Sequence, residues 1–272
     1  KIYLVATPIG NLEDMTFRAI KVLKEVDVIA AEDTRHTLKL LNYYEISKPL
    51  ISYHRHNEDI KTDFLIQKVL NGENIAIVTD AGTPGISDPG EEIVKEAIKN
   101  NIDVIPIPGA CALINALIAS GLNTKQFTFY GFLPLNKKLR KKSFEKIKKE
   151  NKTIIIYEAP HKINKTLNDI LENIGDINCV IAKELTKIHE EFFRGKISEI
   201  INILNEPKGE YKILLDLNKE DEEENSEIEN MTEEEQYEFY EKQGLSKKEI
   251  IKTIAKNKNV NKNEIYQMFI DK

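Results

Sequence analysis

The chain has 272 residues, of which 41% are hydrophobic and 31% charged, with a formal net charge of −6. This length suits one large or two medium domains with a buried core, and this composition excludes a wholly disordered chain or a fibrous repeat. We expect no transmembrane helix, because no apolar run approaches the roughly 20 residues that span a bilayer. The N-terminus lacks a signal-peptide pattern, and Cys111 and Cys179 have no partner at ligand spacing, so we expect reduced thiols in a cytoplasmic protein.

The first 120 residues alternate short apolar runs with segments of helical periodicity. We predict strands at 2–6, 27–33, 49–54, 74–80 and 103–107, and helices at 16–26, 36–44, 58–71, 91–100 and 112–121. The strands lack polar/apolar alternation, which is typical of strands buried on both faces. The pattern predicts a mainly parallel sheet with helices on both sides.

A second alternating set follows a boundary near residues 121–125. We predict strands at 126–132, 153–159, 178–185 and 211–217, and helices at 138–150, 162–174 and 197–204. The predicted fold class is therefore α/β, with two α/β lobes at 1–122 and 123–217. Two such lobes bind a ligand in the cleft outside the carboxyl ends of their strands.

The charge is unevenly distributed along the rest of the chain. Residues 219–241 hold twelve acidic residues and one lysine, a net charge of −11, whereas Lys137–Lys152 has nine basic residues against two glutamates. We predict an acidic linker at 218–232 and a helical extension at 233–272, containing two short helices. The extension suits either packing or RNA contact. The total of −6 therefore does not exclude a polyanionic partner.

The most unusual segment is the glycine loop, TDAGTPGISDPG, at 79–90. It follows a predicted strand directly, and its three glycines allow close approach of a ligand to the backbone while its prolines restrict the loop. No lysine follows at P-loop spacing, which disfavours a nucleotidase. The first loop (6–14, ATPIGNLED) and the third loop (106–112, PIPGACA) also follow strands. Together they suit a zwitterionic, nucleoside-bearing ligand better than a bare phosphate.

Charged and polar clusters mark other strand ends. EDTRH at 32–36 and SYHRHN at 52–57 end two strands of the first lobe, while YEAPHK at 157–162 and the charged run at 182–195 lie in the second. The sequence disfavours a metal site at the histidine pair, because it places no carboxylate or cysteine to complete one. Hydrogen bonding to a phosphate or base is the favoured interpretation. The basic segment Lys137–Lys152 suits RNA phosphates.

Taken together in this order and spacing, the motifs ATPIGNLED, AEDTRHT, SYHRHNE, VTDAGTPGISDPG, PGACAL, YEAPHK and KELTKIHEEFFRG carry a family resemblance. Over residues 1–217 the chain closely resembles the bacterial ribosomal RNA small subunit methyltransferase I family, which are cytidine-2′-O-methyltransferases of the tetrapyrrole-methylase superfamily. The resemblance implies S-adenosyl-L-methionine in the interlobe cleft, a homodimer, and 16S rRNA as substrate, free or within the 30S subunit. The first loop is less glycine-rich than in tetrapyrrole methylases, which counts against a porphyrinoid substrate.

By motif match, the resemblance implies a set of cofactor contacts: Pro8, Ala81, Gly82, Thr83, Ile86, Ser87, Asp88, Cys111, Ala112, Glu158 and Ala182. It does not give a catalytic base. From their positions at strand ends, the candidates for accepting or orienting the 2′-hydroxyl proton are Asp33, Glu32, Lys183 and Glu184. The predicted substrate contacts are Arg35, His54, His56, Asn57, Lys141, Lys142 and Arg194, and no metal is expected.

Two other functions remain open from the sequence. One is a sister methyltransferase acting on a tetrapyrrole or a protein side chain, which the basic helix and the HRHN cluster disfavour. The other is a non-catalytic RNA-binding assembly factor on a methylase fold, which would be expected to carry degraded cofactor loops.

Overall fold

The computed structural model describes residues 1–204, 209–218, 228 and 230–269. Two compact units are separated in it, Lys1–Leu217 and Asn218–Lys272. Within the described part of the chain, no helix combines the length and apolarity needed to cross a bilayer.

The first lobe is a parallel five-stranded sheet with helices on both faces. Its strands, in the spatial order β3-β2-β4-β1-β5, are β1 (Ile2–Val5), β2 (Val28–Ala31), β3 (Leu50–Ser52), β4 (Ile75–Val78) and β5 (Val104–Ile107). Its helices are α1 (Phe17–Glu25), α2 (Thr34–Tyr43), α3 (Glu58–Leu70), α4 (Glu91–Lys99) and α5 (Ala112–Ile118).

The apolar strands of this sheet supply two cores. On β4, Ala76 and Val78 belong to a cluster with α1, while Ile75 and Ile77 belong to a cluster with α3 and α4. Side chains on a strand alternate between faces, and because both faces are covered every residue of β4 is buried, which explains why the strand shows no polar alternation. The parallel sheet predicted from the sequence is present.

The second lobe is a mixed sheet in the order β6-β7-β10-β8-β9. Its strands are β6 (Phe127–Phe132), β7 (Thr153–Glu158), β8 (Asn178–Lys183), β9 (Glu191–Lys196) and β10 (Tyr211–Asp216), and its helices are α6 (Lys137–Ile147), α7 (Ile163–Asn173) and α8 (Ile197–Ile203). Only β6 and β7 pair in parallel; β7–β10, β10–β8 and β8–β9 are antiparallel. The strand β9 was not predicted, because its EFFRGK sequence is that of a partly exposed edge strand.

Helix α5 joins the two lobes. Its residues Ala112, Leu113, Ala116 and Leu117 are buried in one cluster with residues of the second sheet, including Ile155, Val180 and Leu214. One face of that sheet is thus covered by a helix of the first lobe. The carboxyl ends of the first sheet are thereby fixed beside the second lobe.

Three helices of the second unit are described along their whole length, α9 (Glu233–Lys242), α10 (Lys247–Asn257) and α11 (Lys262–Met268). Thr232 and Ser246 form capping boxes at the starts of α9 and α10. The buried rings of Tyr237 and Phe269 stack at 4.6 Å within the apolar core of this unit. The sequence predicts two helices here, and α9 is an additional one whose acidic sequence resembles the linker before it. Most of the predicted acidic linker, 219–227 and 229, lies outside the described residues.

Candidate functional site

A cavity of about 360 Å³ lies between the two lobes of the first unit. This volume falls in the range of small-molecule sites, roughly 300–1,000 Å³. We call it the interlobe cavity. Its lining residues come from both lobes: Ile9, Ala81, Gly82, Thr83, Ile86, Ser87, Asp88, Cys111, Ala112, Phe132, Tyr157, Glu158, Ala159, Pro160, Glu210, Tyr211 and Lys212.

The first and glycine loops are held together by backbone pairing. Thr7 donates its N–H to the carbonyl of Gly82 at 2.8 Å, and Gly82 donates back at 3.1 Å. Gly82 has φ +91°, and a Cβ there would lie 3.3 Å from the side chain of Ile9. The left-handed backbone therefore favours glycine at this position, and the close approach to Ile9 adds to that preference.

The third loop closes onto the other two. The hydroxyl of Thr83 donates to the carbonyl of Ala110 at 3.0 Å. A Cβ on Gly109 would lie 2.8 Å from the Cβ of Ala6, so this glycine allows the third loop to pack against the end of β1. The three Pro/Gly loops thus form one continuous rim of the cavity, as the sequence predicted.

The second-lobe wall combines aromatic rings with fixed charges. Tyr157 and Phe132 contact edge to face at 5.7 Å, and burial raises the pKa of Tyr157, so its phenol stays neutral. Lys212 Nζ is buried and lies 3.0 Å from a carboxylate oxygen of Glu210. An ammonium and a carboxylate side by side give this wall the polarity that a zwitterionic ligand needs.

Glu158 supports the wall from behind. Its Oε1 accepts the N–H of Ala159 at 2.8 Å, and its Oε2 accepts the hydroxyl of Thr166 at 2.6 Å. Since the residue is buried and both carboxylate oxygens are engaged, it fixes the turn after β7.

Asp88 is a cavity-lining carboxylate whose pKa is altered by its surroundings. Burial is the main cause that raises its pKa to about 6, and the negative charge of Glu32 acts in the same direction. The hydroxyl of Thr79 is hydrogen-bonded to Asp88 and donates to Glu32 Oε2 at 2.7 Å. A carboxylate with a pKa near neutrality is suited to accepting a proton.

The carboxylates at the end of β2 are not equivalent. Asp33 caps α2 and pairs with the exposed guanidinium of Arg35 at 2.8 Å, which holds the pKa of Asp33 well below its usual range. The backbone N–H of Asp33 donates to Asp80 Oδ1 at 3.1 Å. Asp33 is therefore a weak base, whereas Glu32 joins the network of Thr79 and Asp88.

The HRHN cluster lies in the turn after β3, which ends at Ser52. The side-chain oxygen of Asn57 accepts the N–H of His54 at 2.8 Å, and the rings of His54 and His56 lie 5.9 Å apart. Arg55, which was not among the predicted contacts, donates to the carbonyl of Ser87. The turn thus supports the glycine loop. Among the residues the structure describes, no three His, Cys, Asp or Glu side chains are grouped as a metal site requires.

Several charged residues predicted in the second lobe have structural partners. Glu184 accepts the N–H of Glu210 at 2.8 Å and pairs with Lys187 at 3.0 Å, so it positions the start of β10. Lys183 lies 3.6 Å from Glu191 across β8 and β9. Neither residue lines the interlobe cavity.

Arg194 contacts the end of the first lobe. Its guanidinium donates to the carbonyls of Ala119 and Ser120, just past α5, at 2.6 and 3.2 Å. These hydrogen bonds join β9 to the segment after α5, and the substrate role assigned to Arg194 from sequence stays a prediction. Its position in a charged run gave no sign of this long-range contact.

The basic side chains of helix α6 differ in their burial. Arg140 is almost buried and pairs with Asp169 at 2.7 Å, whereas Lys141 and Lys142 are exposed. Only the exposed lysines are available to an external polyanion.

Of the residues assigned to the cofactor by motif, nine line the interlobe cavity: Ala81, Gly82, Thr83, Ile86, Ser87, Asp88, Cys111, Ala112 and Glu158. Pro8 lines an adjoining cavity instead, and Ala182 is buried in the core beneath α5. Phe132 and Glu210–Lys212 also line the cavity and were not among the predicted contacts, because local sequence does not show that the end of β6 and the start of β10 meet there.

The chain is similar to known proteins over the region that contains these motifs. Residues 1–201 match the family of tetrapyrrole (corrin/porphyrin) methylases. The chain is 50% identical to ribosomal RNA small subunit methyltransferase I of Bacillus subtilis (strain 168), over 98% of this chain and 93% of that protein. It is 48% identical to the protein of the same name from Halalkalibacterium halodurans, over 98% and 94%. The chain belongs to the ribosomal RNA small subunit methyltransferase I family.

Solved structures of other proteins share the fold of this chain. A diphthine synthase superposes with a TM-score of 0.63 at 12% identity, covering 79% of this chain and 89% of that one. A uroporphyrin-III C-methyl transferase from Thermus thermophilus, complexed with S-adenyl homocysteine, gives 0.55 at 16% identity, covering 79% and 96%. The predicted tetrapyrrole-methylase fold is thus confirmed.

Proposed function

We propose that the chain uses S-adenosylmethionine to methylate the ribose 2′-hydroxyl of a cytidine in the decoding region of 16S rRNA. The observation that carries the proposal is the interlobe cavity, with its intact loops, in a chain half identical over nearly its whole length to ribosomal RNA small subunit methyltransferase I. The substrate places the reaction in the cytoplasm, and we propose a homodimer as the working form.

The residues of the interlobe cavity fit this cofactor. Bound there, S-adenosylmethionine supplies a methyl group on a good leaving group, so correct positioning gives much of the acceleration. The backbone of Ala81–Thr83 lies at the cavity surface and suits the nucleoside. Lys212 and Glu210 suit the charged amino-acid end, and the rings of Phe132 and Tyr157 suit the flat adenine.

We propose Asp88 as the proton acceptor, in preference to Asp33. The 2′-hydroxyl is a weak acid, and its proton must pass to a base as the oxygen becomes bonded to carbon. Asp88 lines the cavity, and once protonated it donates to the hydroxyl of Thr79, which donates in turn to Glu32 Oε2. Asp33 stays ionised beside Arg35 and has less tendency to take a proton.

We propose that exposed cations outside the cavity bind the rRNA backbone. Lys141 and Lys142 on α6, and Arg35 and His56 in the first lobe, are exposed and suit phosphate contacts. His54 and Asn57 are bonded to each other and act by holding this turn in place.

A tritium-transfer assay tests the proposal. The full chain is incubated with labelled S-adenosylmethionine and with 30S subunits or naked 16S rRNA that lack the modification. We expect label in the rRNA, and the comparison identifies the preferred form of the substrate. Label in ribosomal protein, or in an added tetrapyrrole, would contradict the proposal. Tight rRNA binding without transfer would support the assembly-factor function instead.

A further inference from the structure

A second cavity of about 390 Å³ adjoins the interlobe cavity. The two share Ile9, Ala81 and Glu210 in their linings. A methyl acceptor must approach the donor within bonding distance, so a cavity that shares a wall with the donor's cavity is the natural place for it. We call this second cavity the base pocket; its remaining lining includes Pro8, Gly10, Leu12, Leu40, Asp80 and Lys187.

The walls of the base pocket suit a flat heterocycle. Pro8, Ile9, Leu12 and Leu40 present apolar surface, and the pocket volume is within the small-molecule range of roughly 300–1,000 Å³. Enzymes that act on a nucleotide commonly extrude it from the stack and read its Watson–Crick edge between apolar walls. An extruded pyrimidine nucleotide is the substrate portion that this pocket fits.

The second lobe contributes to the pocket through Lys187. A Cβ on Gly10 would lie 2.5 Å from Lys187 Cγ, so the absence of a side chain at Gly10 lets this lysine close the pocket from the opposite side. Lys187 Nζ is held by Glu184 at 3.0 Å and by Glu210 at 3.6 Å. The pocket therefore has a fixed wall from each lobe.

One carboxylate in the base pocket is oriented for recognition. Asp80 Oδ1 accepts the backbone N–H of Asp33 at 3.1 Å, and within the described residues Oδ2 has no hydrogen-bond partner. Burial raises the pKa of Asp80 above its ordinary value, and such a partly desolvated carboxylate makes stronger hydrogen bonds than one in water. A carboxylate pairs with the N4 amino group of cytosine, whereas the O4 carbonyl of uracil is an acceptor that it repels.

We propose that the base pocket holds the extruded target cytosine and that Asp80 selects it over uracil by accepting a hydrogen bond from N4. The inference rests on the proposed function, which gives a cytidine ribose as the methyl acceptor. Asp80, which lies outside the interlobe cavity, thus selects the base, whereas other residues bind the cofactor and accept the proton.

The variant Asp80→Asn tests the proposal, because the backbone N–H of Asp33 determines how the new amide is oriented. The N–H of Asp33 keeps the amide oxygen of the new side chain at the Oδ1 position, so the amide NH₂ takes the place of Oδ2. A donor now faces the base, and it pairs with O4 of uracil instead of N4 of cytosine. We expect the ratio of cytidine to uridine methylation to fall at least tenfold. Asp80→Glu keeps an acceptor and should keep the preference for cytidine at a lower rate.

The measurement uses 30S subunits reconstituted with cytidine or uridine at the position that the wild-type chain methylates, under single-turnover conditions. Calorimetry with S-adenosylmethionine accompanies it, and cofactor affinity should stay within about twofold for the variants. Asp63→Asn, an exposed aspartate on α3, is the matched control. An equal loss on both substrates by Asp80→Asn would overturn the assignment. Absence of any cytidine methylation by the wild-type chain would instead refute the proposed function.

A substrate-side experiment avoids any protein variant. With pyrimidin-2-one ribonucleoside at the target position, the N4 amino group is missing while the ribose is unchanged. We expect the wild-type rate to fall at least tenfold relative to cytidine. Equal rates on the two nucleosides would show that N4 is not read and would overturn the role of Asp80.

Discussion

Asp88 illustrates how a functional residue can oppose folding. Its raised pKa means that ionisation costs free energy in the folded state, and the cost is absent in the unfolded chain. The penalty is therefore absent below about pH 3.8 and complete above about pH 6. The carboxylate is kept at neutral pH at the expense of stability, as is typical of catalytic groups.

We predict that Asp88→Asn stabilises the protein and reduces activity. At pH 7.5 the midpoint of urea unfolding should rise by the equivalent of about 1 kcal/mol, after allowance for the partial exposure of the side chain. The gain should shrink at pH 4.5, where the wild-type carboxyl is largely protonated. Single-turnover methylation should fall on the order of 100-fold. Unchanged activity would show that Asp88 is not the proton acceptor.

Gly82 offers a residue-scale test of the glycine loop. Gly82→Ala adds both backbone strain at φ +91° and a Cβ 3.3 Å from Ile9, at the surface of the interlobe cavity. Gly121 has a similar φ of +82°, but a Cβ there meets no heavy atom within 4 Å, so Gly121→Ala is the matched control for strain. We expect both variants to lose stability similarly, and only Gly82→Ala to weaken S-adenosylmethionine binding, by at least tenfold in calorimetry.

Equal affinity of the two glycine variants for the cofactor would contradict the position of the glycine loop in the site. The urea-unfolding midpoints of Gly82→Ala and Gly121→Ala show whether the two substitutions cost similar stability.

At the scale of elements, helix α6 separates a structural from a binding role. Lys141→Glu together with Lys142→Glu should weaken 30S or rRNA binding about tenfold or more at low salt. The slope of log affinity against log salt should become less steep by about 1 to 2, because fewer counterions are released. Fluorescence titration across a salt series measures both.

The control for α6 is the pair Lys21→Glu and Lys24→Glu on exposed positions of α1, which makes the same change in net charge elsewhere. If both double variants weaken binding equally, net charge and not α6 determines the affinity.

Sequence patterns predicted the first lobe more fully than the second. The parallel strands of the first lobe are continuous apolar runs, and the sheet edge with its three Pro/Gly loops followed from them. The antiparallel orientation of β10 could not be predicted in this way, because strand direction depends on pairings between distant segments, such as Tyr211 with Glu158. For the same reason the second-lobe wall of the cavity, Glu210–Lys212, was missed.

The partners of charged residues were equally beyond local pattern. Arg194 lies in a charged run, yet its bonds reach carbonyls more than 70 positions away. Asp80 lies inside the glycine loop, where the sequence drew attention. Its proposed role in selecting the base, however, depends on the hydrogen bond from the N–H of Asp33, which forms only in the folded chain.

At the scale of the whole molecule, α5 couples the two lobes. Leu117 is buried between α5 and the second sheet. We predict that Leu117→Ala lowers the free energy of unfolding by about 2–5 kcal/mol, through lost apolar contact and the cavity left behind. Cofactor affinity should also fall, since both lobes line the interlobe cavity. Ile118→Ala, at the exposed end of the same helix, is the control and should change both quantities little.

Urea unfolding and calorimetry measure the two effects of Leu117→Ala. A loss of stability with cofactor affinity unchanged would show that the contact supports folding without setting the geometry of the cavity.

The central claim is that this chain methylates the 2′-oxygen of a cytidine in small-subunit rRNA. The most direct test is mass spectrometry of nucleosides from 16S rRNA, after unmodified 30S subunits react with the purified full chain and S-adenosylmethionine. The account predicts the appearance of 2′-O-methylcytidine, approaching one per 16S molecule, and its loss with Asp88→Asn. A methyl group found on a base, on another ribose, or in no rRNA nucleoside would contradict it.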